Sequence, residues 1–139
     1  MGENFDIHSF VDTVMKQDAV KLQKFFEPEA VIVWANTNEK FSVDEYIRAN
    51  CEYPGDWQGT LEDYDFVDRG TKTLIFIVSV HTDEKIIART VSFINFASPD
   101  CELISRLTEY WGDIGEPPQW RKDKNIGLEY KKNSKLWHN

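Results

Sequence analysis

An α+β domain, with helices packed on one face of a curved antiparallel sheet, is what this 139-residue sequence predicts. Helical spacing and capping residues dominate the first fifty residues, interrupted by one β-branched run. After Pro54-Gly55 the pattern changes to four long strand-like segments separated by short turns. Length and composition fit one domain: 41% of the residues are apolar, and no internal repeat or linker breaks the chain. A chain of this size buries roughly 68–70% of its unfolded surface, so its core needs neither metal nor disulfide.

The elements follow in order. Phe10, Val11, Val14 and Met15 recur at helical spacing, and Asp18 is placed to cap a second short helix carrying Leu22, Phe25 and Phe26, with Pro28 beyond its end. Ala30 to Ala35 is rich in β-branched residues and predicts a first strand. Ser42-Val43-Asp44-Glu45 has the capping-box form and opens a third helix running through Asn50. Strands are then expected over Trp57–Asp68, Lys72–His81, Ile86–Phe96 and Glu102–Trp111, an antiparallel meander joined by turn-like segments.

The formal charge is −8 and the pI near 4.8, a balance that opposes binding to phosphate backbones and anionic membranes. Neither nucleic acid nor membrane is expected as a partner. The longest apolar runs are of strand length, and the first residues have no signal-peptide pattern, so the reading is cytoplasmic. Cys51 and Cys101 lack metal-site or redox spacing and read as reduced thiols. With three scattered His, no bound metal is expected. Residues 122–139 read as a basic tail. The segment 121–139 carries +4 against −12 for residues 1–120, and Leu136 and Trp137 favour docking of the tail over fraying.

The helix–helix–strand–helix–meander order, the segment Trp34-Ala35-Asn36-Thr37-Asn38-Glu39-Lys40-Phe41 and the ending Glu109-Tyr110-Trp111-Gly112-Asp113-Ile114-Gly115-Glu116-Pro117-Pro118-Gln119-Trp120-Arg121 together resemble a SnoaL-like member of the NTF2-like superfamily. The resemblance covers about residues 5–121 and places the domain at 1–121. It implies an NTF2-like cone, in which a curved antiparallel (mixed) sheet wraps over three N-terminal helices and encloses an apolar pocket, with homodimers common. It further implies a small apolar or aromatic ligand and, if the chain is an enzyme, a cofactor-free isomerase, cyclase or dehydratase. In the ketosteroid-isomerase pattern an Asp at the end of the first strand is assisted by a helix-1 Tyr; here Trp34 and Phe10 occupy the matching positions. Both departures remove acid–base groups. Such folds also serve as non-catalytic dimerisation or interaction modules, so the fold alone does not fix the function.

An apolar cavity shifts the pKa of an acid or base held inside it, and one carboxylate there can move a proton beside a carbonyl. Glu109 is the first candidate, because alternation groups Leu103, Ser105, Leu107, Glu109 and Trp111 on one face of the last strand. That face lines either the cavity or a dimer interface. Trp34 and Asn36 lie at the exit of the first strand, each a core residue or a ligand contact. Tyr46 and Asn50 share a helix face, and Tyr53 and Trp57 follow in the next loop; together they make a polar-aromatic wall or shape the core and loop. His81 and Arg89 are brought near each other by a short hairpin and would suit an anionic or carbonyl ligand, while a His beside a turn also suits the surface. Glu109 and His81 are thus the candidate acid–base groups, and Trp34, Asn36, Tyr46, Asn50, Tyr53, Trp57, Arg89 and Trp111 the candidate ligand contacts.

Overall fold

Each of the first three α-helices starts on the polar side chain that its sequence offers. In this structure, a computed structural model describing residues 4–82 and 85–130, Asp6 accepts from the Ser9 N–H at 3.0 Å and opens α1 (Ile7–Met15). Asp18 accepts from the Lys21 N–H at 3.1 Å and opens α2 (Ala19–Gln23). The capping box of α3 (Val43–Cys51) is complete: the Glu45 N–H donates to Ser42 Oγ at 3.2 Å and the Ser42 N–H to Glu45 Oε1 at 2.9 Å. A fourth helix, α4 (Gln119–Asp123), follows the last strand and was not anticipated.

The strands are β1 (Phe26–Trp34), β2 (Glu39–Phe41), β3 (Gln58–Asp68), β4 (Lys72–His81), β5 (Ile86–Phe96) and β6 (Ile104–Asp113). They form one sheet in the order β2-β1-β6-β5-β4-β3. β1 and β6 run parallel and every other pair antiparallel, so the sheet is mixed, as the resemblance implies. β1 begins at Phe26, earlier than its β-branched run suggests, and α2 ends before Phe25. Pro28 is tolerated there because the ladder to β6 is irregular between Phe26 and Val31, where a missing N–H costs little. β2 was also unforeseen. Asn38 takes the left-handed conformation (φ 54°) after a 3-10 turn at Ala35–Thr37, and this folds Glu39–Phe41 back onto Ile32–Trp34.

One row of side chains across four strands anchors the core: Ile32, Leu107, Ile94 and Leu74 are in register and fully buried. On the helical side Phe10 meets Phe25 edge-on at 5.2 Å, and Phe26 meets Tyr46 at 5.6 Å. Gly59 lets α1 approach β3, since a Cβ there would lie 2.7 Å from Met15 Sδ. Irregularities in the β5–β6 pairing near Asn95/Phe96 reset the alternation. Ile104 and Leu107 are therefore both buried while Leu103 is exposed, so the predicted inward set holds only from Leu107 onward.

Beyond β6 the Ile114 N–H donates to the Ile87 carbonyl at 2.9 Å, and the Arg89 guanidinium stacks 5.2 Å over the Tyr130 ring. Leu136 and Trp137, expected to dock, lie outside the described residues. Among the described residues no helix is long and apolar enough to cross a membrane. Replacing Ile94 by Ala removes the centre of the buried row, and we expect it to lower unfolding free energy by about 2–5 kcal/mol in urea titrations. A loss under about 1 kcal/mol would show that this row does not anchor the sheet.

Candidate functional site

The concave face of the sheet and the helices do not close on each other completely. Between them lies a cavity of about 500 Å³, within the range of about 300–1,000 Å³ seen for small-molecule sites. Phe10, Val11, Val14 and Met15 line it from α1, Tyr46 and Asn50 from α3, and Phe76, Val78 and Val80 from β4. Tyr53, which is 55% exposed, and the exposed Asp113 mark its mouth.

Glu109 is the one carboxyl set into its interior. On β6 it is paired with Trp34 of β1 on one side and Ser92 of β5 on the other, so three adjacent strands deliver three polar groups to one row. The Ser92 hydroxyl donates to Glu109 Oε2 at 2.7 Å and the Trp34 indole N–H to Oε1 at 3.1 Å. Burial pushes the Glu109 carboxyl above the usual carboxylate range; the two donated hydrogen bonds favour the ionised form and offset part of that rise. What accessible surface the residue retains borders the cavity it lines.

Tyr46 stands nearby and is only 1% exposed. Its hydroxyl has no hydrogen-bond partner among the described residues. Burial, then the Glu109 charge and Cys51, hold its pKa well above that of an ordinary phenol, so it stays a donor throughout the working pH range. Trp34 packs edge-on against Tyr46 at 6.2 Å and Trp111 at 5.7 Å, which fixes its N–H on the carboxyl.

A polar latch holds the mouth. Gln17, itself left-handed at φ 55°, donates from Nε2 to the carbonyls of Asn50 (2.8 Å) and Tyr53 (2.7 Å), while Asn50 Nδ2 donates to the Val14 carbonyl at 3.1 Å. Asn50 lines the cavity, but its amide donor is engaged in joining α3 to α1. Tyr53 and Trp57 pack edge-on at 5.1 Å, and the Trp57 indole N–H is buried without an acceptor.

Trp34, Tyr46, Asn50, Tyr53, Trp57, Glu109 and Trp111 thus meet around one cavity. Three other candidates do not. Asn36 sits in the 3-10 turn, donating from Nδ2 to the Trp111 carbonyl (2.6 Å) and accepting the Trp111 N–H on Oδ1 (3.1 Å); it acts as a substitute strand partner. His81 and Arg89 point to the convex face, because Arg89 pairs with Ser79, whose neighbours Val78 and Val80 face inward. Arg89 Nε donates to Glu62 Oε1 at 3.1 Å, and His81 Nε2 lies 3.0 Å from Thr60 Oγ1. Ser92, Thr90 and Asp113 had not been singled out. The Ala88, Thr90, Ser92 sequence, small and polar within an otherwise bulky strand, is the signal that marks room on that face. No group of three or more potential metal ligands occurs among the described residues.

No protein-family model matches the chain, and no curated relative matches it. Solved structures do match in fold. A protein from Kribbella flavida, provisionally assigned as a ketosteroid isomerase, is 21% identical, with 89% of this chain and 86% of that one covered at a TM-score of 0.68. An NTF2-like protein of unknown function from Burkholderia xenovorans is 16% identical over 84% and 88% of the two chains, with a TM-score of 0.66. A provisionally assigned SnoaL-like polyketide cyclase from Shewanella denitrificans is 13% identical over 74% and 85%, with a TM-score of 0.57. The fold is the NTF2-like fold, in the form these SnoaL-like and ketosteroid-isomerase-like structures share.

The raised Glu109 pKa has a sign that can be checked. A carboxyl that binds its proton more tightly when folded supports the fold most at low pH and loses that support as pH rises from about 4.5 through the folded value. The stability of the chain relative to its Glu109→Gln variant should therefore fall across that interval and level off above it. A difference that stays constant with pH in thermal melts would show that Glu109 titrates normally.

Proposed function

We propose that this chain binds a small, largely apolar organic molecule in the cavity and that Glu109 exchanges a proton with it. The observation that carries the reading is the placement of one carboxyl, held by Ser92 and Trp34, against an otherwise apolar and aromatic space. In such surroundings the neutral and ionised forms are closer in energy than in water, which suits a group that takes and returns a proton. Tyr46, with its free hydroxyl, donates a hydrogen bond to a carbonyl oxygen of the bound molecule, and Glu109 removes or restores the proton on the adjacent carbon. The reaction class is that of a cofactor-free isomerase, cyclase or dehydratase. His81 and Arg89 have no part in it.

The test uses β-tetralone, a bicyclic ketone with exchangeable protons beside its carbonyl. Quenching of tryptophan fluorescence reports binding, since Trp34, Trp57 and Trp111 border the cavity. Deuterium uptake from heavy water, followed by NMR, reports proton transfer. Glu109→Gln should still quench but lose the catalysed exchange by about 100-fold or more. Exchange at the wild-type rate in that variant would remove Glu109 from the chemistry, and absence of quenching in both proteins would count against the cavity as a ligand site.

A second reading concerns assembly. On the convex face Ile75, Ile77, Val91 and Phe93 are only partly buried, and Tyr110 beside them is 49% exposed. We infer that this face pairs two copies of the chain, with residues 1–121 as the unit that pairs and Tyr130, in the segment that follows, stacked on Arg89. Light scattering should give a dimer for the wild type and a monomer for Tyr110→Asp. A monomer at every concentration would overturn the inference.

A further inference from the structure

The polarity of the cavity is one-sided. Its ionisable acids are Glu109 inside and Asp113 at the mouth, and among the described residues no Lys, Arg or His lines it. The nearest basic candidates are turned away on the other face of the sheet. Arg89 is held there by Glu62, whose side chain is 5% exposed, and by the Tyr130 ring, while His81 lies beside Thr60. The wall that remains is part aliphatic and part aromatic, with three tryptophans and two tyrosines among its residues. Tyr46, whose side chain is 1% exposed, borders this space.

We propose that the molecule taken by this cavity carries a protonated amine on an apolar body, and that the cavity discriminates against carboxylates of the same shape. This rests on the small-molecule reading above and narrows its ligand class. Indole and phenol rings present negative faces to a cation, Trp most strongly. Two carboxylates with no counter-ion among the described residues lining the cavity supply attraction for an ammonium and repulsion for an acid, and for the buried Glu109 the low dielectric of an apolar space magnifies both. The ammonium need not touch Glu109. Charges separated by several ångströms in such a space still interact, so the cation favours the ionised Glu109, whose oxygens each keep a lone pair beyond the one that accepts from Ser92 or Trp34.

The groups facing Glu109 make its response to a ligand cation readable. α1 contributes only Phe10, Val11, Val14 and Met15, and β4 only Phe76, Val78 and Val80. From α3 come Tyr46 and, behind it, Cys51, both held in their protonated forms by burial; from β5 comes Ser92, and from β6 Asp113. Glu109 is thus the group whose proton an incoming cation displaces.

Isothermal titration calorimetry with adamantylmethylamine, adamantylmethanol and adamantane carboxylate tests this directly. The amine should bind about tenfold tighter than the alcohol, and the carboxylate more weakly than either. Amine affinity should rise with pH as Glu109 ionises, with proton release detected as heat that depends on the buffer. Glu109→Gln should abolish that release. Asp113→Asn, at an exposed position, should weaken the amine several-fold more than it weakens the alcohol. If the alcohol or the carboxylate binds as tightly as the amine, the charge preference is overturned while the small-molecule reading stands. If none of the three binds, the small-molecule reading falls and this inference falls with it.

Discussion

The site depends on one constraint: a carboxyl group in the middle of a sheet, on the face that packs against helices, must have its hydrogen bonds supplied by neighbouring strands. Glu109 meets that constraint because β6 lies between β1 and β5, and both neighbours place a donor opposite it. The parallel pairing of β1 with β6 is what brings Trp34 into that row from a strand 75 residues away in sequence. Without Ser92 and Trp34, the carboxyl would be a buried acceptor with no partner, and the sheet would gain by expelling it.

The cavity exists because the residues around Glu109 cannot fill the space above it. Leu107, Ile94 and Leu74 close the core in the next row, but Ser92, Thr90 and Ala88 follow on β5, and their small side chains leave room that α1 and α3 span rather than occupy. The helices are prevented from collapsing inward by their own ties. Gln17 and Asn50 bind the ends of α1 and α3 to each other and to the Tyr53 loop, and edge-on ring contacts from Phe10 to Phe25, Phe26 and Phe76 fix the depth of α1. A largely apolar space braced in this way is held open by the protein's own contacts, which lowers the ordering cost when a ligand arrives.

Much of this was legible in the sequence, and the exceptions share a cause. Local signals worked: Asp18 and Ser42 cap helices as placed, and the bounds of β4 and β5 match the predicted segments. Period and residue type put Glu109 and Trp111 on one face of the last strand and made Trp34 and the Tyr46 group candidates, but which way that face turned depended on the pairing of β6 with β1 and β5. What escaped depended on partners distant in the chain. β2 forms only because Asn38 adopts the left-handed conformation, Pro28 is accepted only because β6 leaves it unpaired, and the alternation of β6 is reset by irregularities in its pairing with β5. Arg89 and His81 could be brought together by a hairpin, but which face they shared was set by the register against β3 and by the bulge that presents Glu62.

That last register choice decides the character of the site more than any residue inside it. Had β5 been displaced by one position, Arg89 would have entered the cavity as a counter-ion for Glu109, holding it ionised and favouring anionic ligands. Instead Glu62 captures Arg89 on the convex side, and Glu62 Oε2 is left buried without a hydrogen-bond partner among the described residues, a cost the fold accepts. The pair on one face and the isolated carboxyl on the other are thus two consequences of the same alternation. Glu109 is left with neutral donors, and any positive charge in the described part of the cavity has to come from the molecule that enters it.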